Sequence, residues 1–213
     1  MRLKMSRRPW AEAEVSPEVA LALLESLRDA DIPTEHLKHE DVQQSLPRRL
    51  GLSSVVEANI RRYAALSRDG GSLRAQEVGE LFQLVSRRPD ARSIFSDAGR
   101  RLAQEASKSR SGVRSIARGL PASVRRRIGL RGVSRIARQL APDGEVRTEL
   151  RPPGIIMNGG LLAQACGSDA GCLLLNAALE RALELYGAEE GPISHVECEG
   201  RGDRKCTWRP ATA

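Results

Sequence analysis

The sequence predicts an α+β fold: a helical N-terminal half packed on a small antiparallel sheet that closes with a cysteine-bearing C-terminal hairpin. Three observations predict it. Apolar residues recur at helical spacing in successive blocks from Val19 to Leu140. Beyond residue 144 the period shortens to strand-like alternation, clearest in Glu145-Val146-Arg147-Thr148-Glu149-Leu150. The chain then ends on two short runs, Ile193 to Cys198 and Lys205 to Arg209, separated by Gly200–Asp203, the pattern of a hairpin with a longer loop. Helices first and antiparallel strands afterwards is an α+β order.

Each element has its own local reason. Residues 1–15 read as a loose tail, and residues 16–209 as one domain, with a helical half at about 16–140 and a sheet half at about 144–209. Ser16-Pro17 opens the first helix, Ser as N-cap and Pro at the first helical position. Val19, Leu21, Leu23, Leu24 and Leu27 give it an apolar side, and Ile32-Pro33 ends it. Pro47 and Gly51 break the next stretch. Ser54 and Glu57 have capping-box spacing and start a helix to about Ser67. Gly70-Gly71 is a turn. Val78, Leu81, Phe82 and Val85 mark a third helix; Ile94, Phe95, Ala98 and Leu102 mark a fourth. Ser107 to Gly112 reads as a flexible basic stretch. A helix over Ala122 to Leu140 is expected to break at Gly129 or Gly132. Pro152-Pro153-Gly154 should interrupt the strand that resumes at Ile155-Ile156-Met157. Asp169 is the expected cap of a helix from Gly171 to Tyr186, with Gly187 just past its end.

Composition narrows the class. The chain has 213 residues, 40% of them hydrophobic, which suits a folded core; only 3% are aromatic, so that core is Leu, Val, Ile and Ala. No run approaches the ~18 apolar residues of a membrane helix, and Met1 to Trp10 is basic without the apolar centre of a secretory signal. The expected location is therefore the cytoplasm, where cysteines serve as thiols or metal ligands rather than disulfides.

The formal charge of +7 is concentrated. No acidic residue lies between Glu105 and Asp143, while the 108–138 segment carries Lys108, Arg110, Arg114, Arg118, Arg125, Arg126, Arg127, Arg131, Arg135 and Arg138. Such a segment is either an ordinary solvated face or a surface for nucleic acid, an anionic membrane or an acidic partner. Arg125, Arg126 and Arg127 fan around a helix, so they cannot all enter one groove; an acidic protein partner, or no partner, is favoured over nucleic acid.

Four residues form a chemical constellation. A hairpin between Cys198 and Cys206 brings their sulfurs together. His195 lies three residues before Cys198, an offset that a bulged strand can aim at the same point. Cys172 sits at the start of the last expected helix, where free N–H groups favour a thiolate. Three thiolates and an imidazole make a soft, closed set suited to a structural zinc ion. The alternatives are Cys172 as a small buried apolar residue, His195 as a satisfied core or surface histidine, and a Cys198–Cys206 disulfide. Cys166 is an additional thiol in the loop before that helix.

The tail Glu197-Cys198-Glu199-Gly200-Arg201-Gly202-Asp203-Arg204-Lys205-Cys206-Thr207-Trp208 resembles the closing motif of the 4-vinyl-reductase domain family: a Cys, a Gly-Asp turn, a second Cys and then an aromatic residue. The resemblance covers residues 144–209 and extends more weakly over 45–105, through Leu46-Pro47-Arg48-Arg49-Leu50-Gly51 and Ala98-Gly99-Arg100. In that family's phenol-responsive regulators a Cys, a carboxylate and two hairpin Cys bind zinc. Carried over, the positions are Cys172, His195, Cys198 and Cys206, with His195 standing where the sensors have a glutamate and Glu197 as a neighbouring alternative. The resemblance implies a fold shared with trafficking-complex (TRAPP-type) subunits and haem-based nitric-oxide sensors, often as a homodimer.

What it implies for function is a stand-alone sensory module that binds zinc and a small apolar ligand and signals to a partner. The alternatives are an interaction or scaffold protein without a ligand and an accessory factor in tetrapyrrole metabolism. The pocket His and Trp of the phenol sensors have no counterpart between His39 and His195 or between Trp10 and Trp208. No phosphate loop and no Ser/His/Asp or Cys/His catalytic set appears, so no catalytic residue is assigned.

Overall fold

The computed structural model describes residues 12–31, 54–108, 119–188 and 191–211. The expected breakers Pro47 and Gly51, the stretch 109–112 and the first eleven residues lie outside them. The elements run β1 (Glu14–Val15), α1 (Pro17–Asp31), α2 (Ser54–Arg68), β2 (Leu73–Arg74), α3 (Ala75–Ser86), α4 (Ala91–Lys108), α5 (Ala122–Gln139), β3 (Glu145–Leu150), β4 (Pro153–Asn158), α6 (Leu161–Cys166), α7 (Leu173–Leu185), β5 (Ile193–Glu197) and β6 (Cys206–Pro210). This is the α+β arrangement expected. A 3₁₀ turn, Ala170–Cys172, leads into α7.

Apolar burial explains the helices. α4 lies between α1 and α7, and α7 in turn packs on α5. Phe82 of α3 and Phe95 of α4 meet edge to face at 5.7 Å, deep in a core shared with Leu23, Ile94, Leu174 and Leu179. Burying each such side chain contributes about 1.5–3 kcal/mol. The α4–α7 crossing is tight at Gly99, where a Cβ would lie 2.0 Å from the carbonyl oxygen of Leu174, so only glycine permits it. Ser16 caps α1 as expected, its Oγ accepting from the Glu18 amide at 3.3 Å.

The four-stranded antiparallel sheet has the order β3-β4-β6-β5, so the C-terminal strand sits beside β4 and the hairpin β5–β6 forms one side. Arg209 on β6 reaches across β4 at Gly154 to pair with Glu149 on β3 at 2.8 Å.

Several expectations are corrected. Glu14-Val15 is not loose tail: it pairs with Leu73-Arg74, and Val15 is buried. Ser107 and Lys108 belong to α4. α5 is continuous; Gly129 does not break it but lets it approach the Ala182 carbonyl of α7. Pro153-Gly154 starts β4 rather than interrupting it, Pro153 occupying the first strand position, where proline is tolerated. Asp169 supplies no side-chain cap; it meets Arg92 and Arg201 instead. α6 holds Cys166, which was expected in a loop.

Candidate metal centre

Three separate stretches of backbone converge on one point. Cys172 closes the 3₁₀ turn and is the residue from which α7 starts. Cys206 opens β6. His195 lies on β5, opposite Trp208, and the register between β5 and β6 shifts between His195 and Glu197. That irregularity lets His195 and Cys198 serve one site despite their odd spacing. The ligand atoms of Cys172, His195, Cys198 and Cys206 all lie within 4.8 Å of one another. Cys172 Sγ is 3.9 Å from Cys198 Sγ and 4.0 Å from Cys206 Sγ. These separations are far beyond the ~2.05 Å of a disulfide, and all four cysteines are free.

The three clustered cysteines are fully buried. His195 Nε2 is buried and has no hydrogen-bond partner. An orphaned imidazole nitrogen beside three thiols is what a bound metal ion satisfies, so the donor set fits a metal.

The surroundings favour negative sulfur. A hydrogen bond from Cys172, the neighbouring His195 imidazole and the Glu199 amide, 3.4 Å away, outweigh burial and hold the Cys206 thiol well below its usual range. Cys172 is pushed up by its hydrogen bond to Cys206 and by burial. Cys198 is raised chiefly by burial, although the amides of Gly200 and Arg201 oppose it. Cys172 and Cys198 are both raised, and a metal binds the thiolate form, so binding a divalent ion releases protons and affinity should climb with pH between about pH 6.5 and 8. Chelator-competition titrations across that range check this; an affinity independent of pH contradicts it.

Trp208 is the strut of the site. It is fully buried, stacks flat on His195 with ring centroids 4.8 Å apart, and its Nε1–H donates to the Cys172 carbonyl at 3.3 Å. One side chain thus fixes the orientation of two ligands. The loop between the strands is also tied down. Asp203 accepts from the Cys198 amide at 2.7 Å, and Glu199 accepts from the amides of Gly159 and Gly160 at 2.8 and 3.3 Å. Arg201 donates to the carbonyls of His195 and Val196. Gly200 lies so close to Ser168 that a Cβ would come within 2.6 Å of its carbonyl oxygen.

All four expected ligands are brought together. Glu197, the alternative to His195, is not among them: it accepts from Thr207 at 2.6 Å and pairs with Lys205 at 3.3 Å. Cys166 is likewise outside; its sulfur lies 3.9 Å from the Phe82 carbonyl. Sequence reasoning missed the strut and loop roles of Trp208, Glu199 and Arg201. The one available signal was their place in the quoted tail motif. Comparisons with family models, curated proteins and solved structures return no match for this chain.

Proposed function

We propose that the cluster holds one structural zinc ion, which ties the C-terminal hairpin to the start of α7. A tetrahedral zinc with Zn–S bonds of about 2.3 Å has S···S edges of about 3.8 Å, close to the observed 3.9 and 4.0 Å. That match carries the reading. Three sulfurs and one nitrogen fill four positions and leave none for a reacting water, so the ion's role is structural rather than catalytic. Zinc with three thiolates and a neutral imidazole has a net charge of −1, which the amides near Cys198 and Cys206 offset in part.

On the likeness of its tail to the 4-vinyl-reductase domain, the zinc-bound chain serves as a stand-alone sensory module for a small apolar ligand, acting as a homodimer. An apolar crevice between α4, α5 and α7, lined by Ala103, Ala106, Val133, Ala182 and Tyr186, has a volume of about 10 Å³. That is room for a single water, so a ligand has to open it or enter elsewhere. Native mass spectrometry of protein purified without added metal tests all three parts. About one zinc per chain, a retained apolar molecule and a dimer are expected. A metal-free folded chain overturns the zinc reading; a zinc-loaded monomer that binds no apolar compound overturns the sensory one.

A further inference from the structure

α5 carries six arginines and no acidic residue, nearly the whole of the chain's net charge of +7. Its buried face, Leu130, Val133, Ile136 and Ala137, packs inward. Arg127, Arg131, Arg135 and Arg138 are exposed on the other side. At 100° per residue they fall within an arc of roughly 80°, and at 1.5 Å per residue they form a straight ridge of roughly 16 Å. None of these four side chains makes a hydrogen bond or ion pair among the described residues. The acidic groups of the adjacent strand are engaged elsewhere, Glu145 with Arg147 and Glu149 with Arg209. Among the described residues the ridge is therefore a concentrated positive field without an internal counter-charge.

We propose that this ridge docks an acidic helix of a partner protein. Carboxylates at every fourth residue of such a helix repeat about every 6 Å, the same interval as Arg127, Arg131 and Arg135, so register is kept along the contact. Nucleic acid fits less well. The ridge's arginines could pair with guanine edges, but the exposed arc offers no aromatic ring to stack on bases and no Asn or Gln to read adenine. Of its apolar side chains only Val124 is notably exposed, at 40%, so the contact is electrostatic, salt-sensitive and readily reversed.

The probe is a helical peptide with Glu at positions matching the ridge, against one of equal composition with the Glu residues spread around the helix. Binding to the full chain is read by fluorescence anisotropy. The matched peptide should bind at least about tenfold tighter than the scrambled one, and raising salt from about 0.05 to 0.3 M should weaken it about tenfold. Charge reversal at Arg127→Glu, Arg131→Glu and Arg135→Glu should remove binding while leaving zinc content and melting unchanged. If that variant does not fold, the corresponding Gln triple, which only removes charge, should lower affinity about tenfold. Equal affinity for both peptides, no effect of either triple, or tighter binding of a random DNA duplex at the same salt overturns the proposal.

Discussion

Cys206→Ala is expected to abolish tight zinc binding and to remove about 4 kcal/mol of stability when free zinc is a thousandfold above its dissociation constant. The reason lies in what the ion connects. β5 and β6 pair through only a few residues, and the loop from Cys198 to Asp203 is built around the sulfurs. Without the fourth ligand, Cys172 and Cys198 stay buried as protonated thiols and the orphaned His195 nitrogen keeps no partner. Urea unfolding should show a lower midpoint for the variant. A chelator should lower the wild-type midpoint by the same amount and leave the variant unmoved. Cys166→Ser, outside the cluster, should bind zinc as the wild type does. A variant that unfolds with the wild type, or a wild type indifferent to chelation, contradicts the account.

Trp208→Ala is expected to cost about 3–5 kcal/mol in the zinc-loaded protein, the range for emptying a large aromatic site in a core. The side chain is fully buried, so a cavity remains where the ring lay. Its stack on His195 and its hydrogen bond to the Cys172 carbonyl disappear as well. Zinc affinity should therefore fall along with stability, by about 10–100-fold, as for other outer-shell partners of metal ligands. Trp208→Phe separates the two effects. It keeps a ring against His195 but loses the Nε1–H donor and part of the indole volume, so its stability cost should be about 2 kcal/mol, below that of alanine, and its zinc affinity should stay closer to the wild type. An alanine variant with wild-type zinc affinity would show that Trp208 is core packing and not a support for the ligands.

Most helices were legible because their apolar residues repeat over three or more turns, as in α1, α4 and α7. The features that escaped are short or depend on distant contacts. β1 and β2 are two residues each, below any periodic window, and exist because they pair with each other. α6 has six residues, of which Leu161, Leu162, Ala163 and Ala165 are buried, so it shows no amphipathic stripe. Gly129 reads as a helix breaker in isolation, yet its missing side chain serves the α5–α7 contact. The site was more legible than the fold's small elements. Cysteine and histidine are rare enough here that four of them at hairpin and helix-start positions stand out, and the bulge at His195 removes the one objection to their spacing. Spacing alone also left a Cys198–Cys206 disulfide open, and the resemblance left the choice between His195 and Glu197. That depends on which side chain the irregular strand turns inward, and Glu197 instead meets Thr207 and Lys205.

A zinc ion held by three sulfurs and one nitrogen has a distinctive first coordination shell. X-ray absorption at the zinc edge of the purified protein tests it directly. The expected result is a first shell of three sulfurs at about 2.3 Å and one nitrogen at about 2.0–2.1 Å, with the nitrogen lost in His195→Ala. A shell of four sulfurs, which would enlist Cys166, or a shell dominated by oxygen and nitrogen would contradict it.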